Sequence, residues 1–423
     1  MITETFYPFI LLSNKVTIDS RTVEENDVFF AFSSERFNAA SKAKEAIDKG
    51  ALAVIVEQKN YEDVNNKIFY VPSTLLLLQD IAKYHRSQLR IPIIALTGSN
   101  GKTTTKELIH AVLSQKFNIQ YTLGNLNNHL GVPLTLLSIK PEHDMAVIEM
   151  GANHQKEIEL LCEIAQPDIG YITNFGKAHL EGFGGFQGVI KGKSELYDFL
   201  KTEKKLIMVN ENDSIQVEKT KDYPNKITFG TKKSDYYYEQ FTQNNSVGIS
   251  INRQKIQSNL TGSYNFSNIC AAASLGMHFD VAVSQIKDAV ERYVPTNMRS
   301  QILQKNEQLL VLDTYNANPS SMVEALKNFK SFEGSKTIIM GDMLELGEES
   351  LYEHTEILKI AHNLGFDEII TVGQHFAETG ISPQSFENAE ALIASIRNQP
   401  IVSKNILLKA SRGIALEKIL EYI

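Results

Sequence analysis

The sequence predicts an α/β protein with three domains, and two observations carry this prediction. The chain has 423 residues, which at roughly 150 residues per domain corresponds to about three domains. Apolar runs of strand length alternate with helix-like stretches through the middle of the chain, and the alternation restarts after Pro295. Such alternation is typical of parallel sheets that carry helices on both faces.

Composition excludes several classes of protein. Apolar residues make up 43% and charged residues 22% of the chain, which is typical of globular domains and not of disordered ones. The net charge of −8 argues against nucleic acid as a partner. Two isolated cysteines, Cys162 and Cys270, exclude a disulfide framework and favour a reducing compartment. Since the acidic N-terminus does not resemble a signal peptide and no apolar run reaches the ~20 residues of a membrane span, we expect a cytoplasmic protein.

The first domain is predicted over residues 1–80 as a small α/β unit. Its helix-like stretch is Ala39–Lys49, and a second helical pattern, Ser73–Arg90, connects it to the rest of the chain. The predicted strands are Val28–Phe32, Leu52–Val56 and Ile68–Val71.

The central domain is predicted over residues 81–296 and shows the longest alternation. Its predicted strands are Ile93–Leu96, Ala146–Met150, Ile169–Thr173 and Leu206–Val209. Its predicted helices are Thr103–Gln115, Lys156–Ile164, Gln187–Leu200, Asn265–Met277 and Val283–Val290. Residues 227–256 are short, polar and β-prone, which predicts an inserted or edge hairpin.

The third domain is predicted over residues 297–423 and repeats the α/β pattern. Its predicted strands are Leu309–Asp313, Thr337–Met340, Ile369–Val372 and Ile406–Lys409. Its predicted helices are Ser321–Phe332, Tyr352–Leu364, Ala389–Asn398 and Ile414–Tyr422.

A glycine-rich turn between a predicted strand and a predicted helix is the strongest functional signal. Residues 97–104 of this turn read TGSNGKTT. The glycines let backbone N–H groups approach phosphate oxygens, Lys102 can reach the terminal phosphates, and the Thr103 hydroxyl can ligate Mg²⁺. The general phosphate-loop pattern has glycine where Leu96 stands, so this loop is a shorter variant that uses Gly98. The pattern predicts binding of ATP or GTP and does not specify the reaction.

Two neighbouring strands deliver residues of the metal-ligating type. Glu149 ends one predicted strand, and His179 follows the next one along the chain. An acid at the carboxyl edge of a parallel sheet is well placed to hold Mg²⁺ beside phosphates. Either residue alone would more often be an ordinary loop residue, and their coincidence at one edge favours a metal site.

Two further loops are rich in amides. Residues 123–128 read LGNLNN, and these amides can either recognise a ligand or satisfy the backbone of a turn. Residues 313–321 read DTYNANPSS before a predicted helix. The Asn-Pro pair in this segment suits a helix start, whereas capping does not require Asp313, Tyr315 and Asn316 together.

Taken in order, these motifs resemble those of the Mur ligase family, the ATP-dependent amide-forming enzymes of peptidoglycan synthesis. The resemblance covers nearly the whole chain. It rests on DSR at 19–21, TGSNGKTTT at 97–105, GNLNN at 124–128, EMGANH at 149–154, NFGKAHLEGFG at 174–184, YNFSN at 264–268, DTYNANPSSM at 313–322, GDMLELG at 341–347 and KASR at 409–412. The GNLNN, YNANP and GDMLELG signatures look like the member that adds D-alanyl-D-alanine to UDP-N-acetylmuramoyl-tripeptide.

The resemblance implies a fold and a set of binding residues. The central domain would be a P-loop-type ATPase with a doubly wound parallel sheet, between a small UDP-substrate-binding α/β domain and a C-terminal Rossmann-like ligase domain that closes over the nucleotide. ATP would be bound by Gly98, Ser99, Asn100, Gly101, Lys102, Thr103, Thr104, Asn268, Arg299 and Asp313. The other substrates would be bound by Ser20 and Arg21 at the UDP moiety, by Asn125, Asn127 and Asn128 at the muramoyl peptide, and by Tyr315 and Asn316 at the incoming amine or the closing interface.

The resemblance also implies a catalytic metal site. Lys102, Glu149, His179 and Lys193 would be catalytic, with two Mg²⁺ ions held by Thr103, Glu149, His179 and Lys193. Family members carry a carbamylated lysine on the helix after the histidine, and the position of Lys193 matches that pattern better than the position of Lys191 does. The enzyme would act as a monomer on UDP-N-acetylmuramoyl-tripeptide and D-alanyl-D-alanine, and either diaminopimelate or lysine is compatible as the third peptide residue. The alternatives are a sister ligase that adds a single amino acid and a nucleotide-driven switch protein.

Overall fold

The N-terminal part of the chain forms a parallel sheet flanked by helices. The computed structural model describes residues 2–35, 37–381 and 384–423. The elements are α1 (Ile2–Leu12), β1 (Val16–Thr17), β2 (Val28–Phe30), α2 (Ala43–Asp48), β3 (Ala53–Val56), β4 (Ile68–Tyr70) and α3 (Thr74–Gln88). The four strands are parallel in the order β1-β2-β3-β4. The sequence patterns miss α1 and β1, and the predicted helix Ala39–Lys49 begins as a 3₁₀ turn, Ala39–Lys42, before α2.

Helix α3 links this sheet to the centre of the molecule. It contacts α1 on one side and α5 (Gly131–Leu137) and α6 (Glu157–Ala165) on the other. The predicted boundary between residues 80 and 81 therefore falls within a continuous helix. The division of the chain at this point stays a prediction.

A six-stranded parallel sheet forms the centre of the molecule. Its remaining elements are β5 (Ile93–Thr97), α4 (Lys102–Leu113), β6 (Ile119–Tyr121), β7 (Met145–Glu149), β8 (Ile169–Ile172), α7 (Leu180–Phe183), α8 (Phe186–Thr202), β9 (Leu206–Asn210), α9 (Ser214–Thr220) and β10 (Lys226–Phe229). The strand order is β10-β9-β8-β5-β7-β6. Every residue of β5 is buried because helices cover both faces of the sheet. Side chains alternate along the strand, so Ile93 and Ala95 pack in one core cluster while Ile94 and Leu96 pack in another.

The segment 227–256, predicted as a hairpin, begins in β10 of the central sheet and continues into a separate three-stranded antiparallel sheet. The antiparallel sheet consists of β11 (Glu239–Gln243), β12 (Ser246–Ile251) and β13 (Gln254–Thr261), and is followed by α10 (Tyr264–His278) and α11 (Val283–Arg292). Helix α10 packs against α4. This contact places the start of α10 beside the glycine-rich turn.

The C-terminal part of the chain forms a third α/β layer structure. Its elements are β14 (Gln301–Lys305), β15 (Gln308–Asp313), α12 (Pro319–Lys330), β16 (Lys336–Gly341), α13 (Ser350–Leu364), β17 (Glu368–Val372), α14 (Gln374–Glu378), β18 (Ser385–Phe386), α15 (Ala389–Asn398) and β19 (Asn405–Lys409). The strand order is β14-β15-β19-β16-β17-β18, and among the described residues of this sheet only β14 runs antiparallel to its neighbour. The predicted final helix is a 3₁₀ segment, Leu416–Glu421.

The observed sheets confirm the predicted α/β fold class, with a central doubly wound parallel sheet between a small N-terminal α/β unit and a C-terminal Rossmann-like unit. Within the described residues, no helix is long and apolar enough to cross a membrane. The segments after β5 and β8 contact the C-terminal unit, and most of the predicted functional residues lie at this junction.

Candidate active site

The glycine-rich turn is held in shape by the loop that follows β8. Gly98 and Gly101 have positive φ angles of 143° and 79°, which glycine adopts readily. A Cβ atom at Gly98 would lie 2.0 Å from the hydroxyl of Thr173, so only glycine fits there. Asn174 accepts a hydrogen bond from the Asn100 N–H at 3.0 Å, and the Thr173 hydroxyl donates to the Asn100 carbonyl at 2.6 Å. The loop after β8 therefore holds the glycine-rich turn in its conformation.

Lys102 begins α4 and folds back across this turn. Its Nζ donates to the carbonyl of Gly98 at 2.7 Å and to that of Ser99 at 3.3 Å. Burial lowers the pKa of Lys102 to about 8, against the opposing attraction of Glu149. The ammonium is held where the phosphates of a nucleotide would lie over the turn.

Glu149, at the end of β7, has one carboxylate oxygen with hydrogen-bond partners and one without. Its Oε1 accepts from the Thr103 hydroxyl at 3.3 Å and from the Asn127 side-chain amide at 2.8 Å. Its Oε2 is buried and makes no hydrogen bond, although the Lys106 ammonium lies 3.8 Å away. A buried carboxylate oxygen without a hydrogen bond is suited to receive a cation.

His179 lies across the cleft, between the central and C-terminal units. Its backbone is left-handed, with φ of 53°, and its Nδ1 is hydrogen-bonded to Oε2 of Glu345. This hydrogen bond lowers the pKa of the Glu345 carboxyl. With Nδ1 engaged, Nε2 is the ring nitrogen that remains for a metal ion.

Lys193 lies on α8 behind the cleft wall. Its side chain is fully buried, its Nζ donates to the Ala152 carbonyl at 3.0 Å, and the same atom lies 4.9 Å from the centre of the Phe183 ring. Burial is the main reason why the pKa of Lys193 is lowered far below its usual value. Lys191, two residues earlier, is exposed to solvent.

The amide-rich segment Leu123–Asn128, here called the asparagine loop, packs against the end of β7. The Asn127 carbonyl accepts from the Gly151 N–H at 2.7 Å, and a Cβ atom at Gly151 would lie 2.7 Å from the Asn127 side chain. Asn128 accepts at Oδ1 from the N–H groups of Leu130 and Gly131, at 3.1 and 3.0 Å. Asn128 thereby has a structural role at the start of α5, beside its position on the cleft wall.

The C-terminal unit contributes the opposite wall of the cleft. The guanidinium carbon of Arg299 lies 3.8 Å from the centre of the Tyr315 ring. Asp313 pairs with the Lys409 ammonium at 2.6 Å. Asn318 caps α12, as predicted, and its side-chain amide also donates to Asn100 Oδ1 at 2.7 Å. This last bond joins the C-terminal unit directly to the glycine-rich turn.

These walls enclose a cleft of about 770 Å³. The predicted residues that line it are Ser99, Asn100, Gly101, Lys102, Thr103, Thr104, Asn125, Asn127, Asn128, Glu149, His179, Asn268, Arg299, Asp313, Tyr315 and Asn316. Four other predicted residues, all of them described, lie away from its wall: Ser20, Arg21, Gly98 and Lys193. Arg21 lies at the surface of the N-terminal unit, where it pairs with Asp19 at 2.6 Å.

Several cleft residues were not predicted. Among them are Asn174, Asn210, Asp213, Tyr264 and Asn265. Asn174, Asn210 and Asp213 follow the carboxyl ends of β8 and β9, which is the position that identified Glu149 and could have identified them as well.

Comparison with known proteins identifies the family. The Mur ligase middle domain matches residues 96–276, and the Mur ligase glutamate ligase domain matches residues 298–421. The UDP-N-acetylmuramoyl-tripeptide–D-alanyl-D-alanine ligase of Escherichia coli (strain K12) is 35% identical, covering 96% of this chain and 92% of its own length. The ligase of the same name from Bacillus subtilis (strain 168) is 31% identical, with the same coverage of 96% and 92%.

Solved structures agree with this result. The crystal structure of MurF from Acinetobacter baumannii matches with a TM-score of 0.86 and 33% identity, over 96% of this chain and 92% of that one. MurF ligase from Thermotoga maritima, solved in complex with ADP, matches with a TM-score of 0.83 and 27% identity, over 98% of this chain and 97% of that one. The chain belongs to the Mur ligase family.

Proposed function

We propose that this protein uses ATP to join UDP-N-acetylmuramoyl-tripeptide to D-alanyl-D-alanine through an amide bond, in the synthesis of peptidoglycan precursors. The observation that carries the proposal is the composition of a single cleft. The glycine-rich turn with Lys102, the asparagine loop and Glu149 form one wall, and Asp313 and Tyr315 form the other. Support comes from relatives of this name that align over nearly the full chain.

The chemistry required is the activation of a carboxylate, which is a poor electrophile in water. An oxygen of the acceptor carboxylate attacks the γ-phosphorus of ATP, the bond to ADP breaks, and an acyl phosphate forms. The dipeptide amine then attacks the acyl carbon, loses a proton and expels phosphate, which leaves the amide. Transfer between two anions depends mainly on positioning and charge compensation, and the N–H groups of the turn and the Lys102 ammonium supply both.

Closure of the C-terminal unit over the cleft would protect the acyl phosphate from water. Contacts between the two units in this structure include Asn318 with Asn100 at 2.7 Å, Lys177 with Glu353 at 2.5 Å, and His179 with Glu345.

The residues present fit Mg²⁺. Glu149 Oε2 is a buried oxygen without a hydrogen bond, and its other oxygen accepts from Thr103, whose hydroxyl is the metal-ligating group of a phosphate loop. No three acidic, histidine or cysteine side chains converge on one point among the described residues. Mg²⁺ retains waters and phosphate oxygens in its shell and can be bound through one or two protein side chains. When bound, Mg²⁺ would neutralise phosphate charge, with Thr103 and Glu149 at one ion and His179 at a second.

We propose that Lys193 is carbamylated and completes the metal site. Burial lowers the pKa of Lys193 and so favours the neutral amine, which is the form that reacts with CO₂. The product is an anion, and an anion can approach Mg²⁺ where an ammonium would be repelled.

The remaining assignments rest on the resemblance to the family. We propose that Ser20 and Arg21 contact the UDP moiety on the N-terminal unit, in the division 1–80, 81–296 and 297–423. We further propose that the enzyme acts as a monomer. Both cysteines are free and buried, which supports a cytoplasmic location.

The test is product formation from ATP and UDP-N-acetylmuramoyl-tripeptide with either D-alanyl-D-alanine or free D-alanine, followed by mass and phosphate release. We expect a product that carries the dipeptide, and little coupling of the single residue. Efficient coupling of one amino acid would instead identify a sister ligase. Phosphate release that is independent of any amine would identify a nucleotide-driven switch.

A further inference from the structure

Lys106 is a fully buried lysine on α4, the helix that follows the glycine-rich turn. It lies one helical turn beyond Lys102, and its side chain is 0% exposed. An apolar residue of similar length would avoid the cost of removing a charge from water. The contacts of this ammonium therefore indicate what the charge is used for.

The Lys106 ammonium is engaged by two backbone carbonyls and lies close to two carboxylates. It donates to the Thr122 carbonyl at 2.7 Å and to the Gly124 carbonyl at 3.3 Å. It also pairs with Oε1 of Glu107 at 3.1 Å and lies 3.8 Å from Oε2 of Glu149. One side chain thus links α4, the start of the asparagine loop and the acid at the end of β7.

These partners lie between two cavities. Glu149 lines the main cleft, while Glu107 and Gly124 line a second cavity of about 360 Å³. Asn125 lines both, and it directly follows the carbonyl that Lys106 holds. The path of the backbone at Gly124, where φ is 54°, therefore determines how Asn125 and the rest of the loop face the substrates.

We propose that Lys106 is a positioning residue that fixes the asparagine loop in the conformation that binds UDP-N-acetylmuramoyl-tripeptide, a role that rests on the proposed function. Its two bonds to backbone carbonyls hold the start of the loop, and Asn127 anchors the other end on Glu149 at 2.8 Å. Lys106 itself does not contact the substrate. Its loss should weaken binding of the acceptor while leaving the nucleotide-binding turn, which is held by Thr173 and Asn174, in place.

The test compares Lys106→Met with Lys116→Met in the full chain. Lys116 also donates to two backbone carbonyls, those of Phe279 and Asp280 at 2.9 and 3.2 Å, but away from the cleft. We expect Lys106→Met to raise the Kd and the KM for UDP-N-acetylmuramoyl-tripeptide at least ~10-fold. We expect its Kd for ADP without Mg²⁺ to change less than ~3-fold, and Lys116→Met to leave both affinities unchanged.

Three results would overturn the proposal. One is an unchanged acceptor affinity in folded Lys106→Met. Another is a parallel decrease in melting temperature, ADP affinity and acceptor affinity, which a purely structural lysine would produce.

The third result concerns a second variant. If Lys106→Met does not fold, Lys106→Gln is measured in its place, and wild-type acceptor affinity in that variant would assign Lys106 to packing alone. If the wild type binds the acceptor but makes no dipeptide product, the proposed function fails and not the role of Lys106.

Discussion

His179 and Glu345 are 166 positions apart and form a hydrogen bond across the junction of the central and C-terminal units. A histidine that ligates a metal usually donates its other ring nitrogen to a carboxylate, which fixes the orientation of the ring. Here the carboxylate comes from the C-terminal unit, so the geometry of the proposed metal site would depend on how that unit docks.

We expect Glu345→Gln to weaken Mg²⁺ binding by about 10- to 100-fold, which is typical for loss of such an orienting partner. The measurement is the Mg²⁺ concentration that gives half-maximal ligation, together with Mn²⁺ binding to the enzyme–ADP complex by electron paramagnetic resonance. Glu348→Gln, a change in the exposed segment after Glu345, serves as the control. An unaltered metal dependence in Glu345→Gln would show that His179 does not bind the metal through Nε2.

Lys102→Ala should abolish ATP-dependent ligation without unfolding the protein. The side chain lies on the cleft wall and bonds only to carbonyls of its own turn among the described residues, so we expect little loss of stability. Removing a preorganised charge from the transferring phosphoryl group should reduce the rate by at least ~10²-fold. Turnover near that of the wild type, in a variant with the wild-type melting temperature, would place the nucleotide elsewhere.

Lys193→Ala should reduce the ligation rate by at least ~10²-fold. Loss of a residue that orients a metal ligand typically costs about 10- to 100-fold in activity, and loss of a ligand itself should cost at least as much. Because Lys193 is buried, its replacement by alanine leaves a space inside the protein. We expect acetate or propionate to occupy this space and to restore part of the activity. Lys191→Ala is the matched control, because that side chain is on the same helix but exposed. If Lys191→Ala is inactive and Lys193→Ala is not, Lys191 is the essential lysine and the assignment of carbamylation to Lys193 is wrong.

Much of the fold is predictable from local sequence. The strand Ile93–Thr97 is an uninterrupted apolar run because both faces of the central sheet are covered, and the turn that follows needs glycine at Gly98. The short strand β6 and the helix α1 were missed. The strand has three residues, too few to show a period, and the helix contains Pro8 within an apolar segment.

The candidate site is predictable where its residues follow strands and unpredictable where they meet across the chain. Glu149 ends β7 and His179 lies in the loop that follows β8, and both positions are local signals. The partner of His179 and the contact between Lys177 and Glu353 join segments that are 166 and 176 positions apart. Such pairs depend on how the C-terminal unit docks, and no local periodicity encodes that arrangement.

A last prediction concerns the pH dependence of stability at His85, which joins α3 to α1 and to the residue Ile139. His85 is buried with Nδ1 2.9 Å from the Tyr7 hydroxyl and Nε2 3.2 Å from the Ile139 carbonyl, and burial lowers its pKa below the usual 6.5. The unfolded chain therefore takes up a proton at His85 before the folded one does, so the free energy of unfolding should fall as the pH drops below about 6.5. Urea unfolding at about pH 7 and about pH 5.5 measures how far the free energy of unfolding falls between the two. We expect a smaller fall for His85→Gln than for the wild type. His362→Gln, which changes an exposed histidine, should match the wild type. An equal fall in His85→Gln and wild type would show that His85 contributes nothing to this pH dependence.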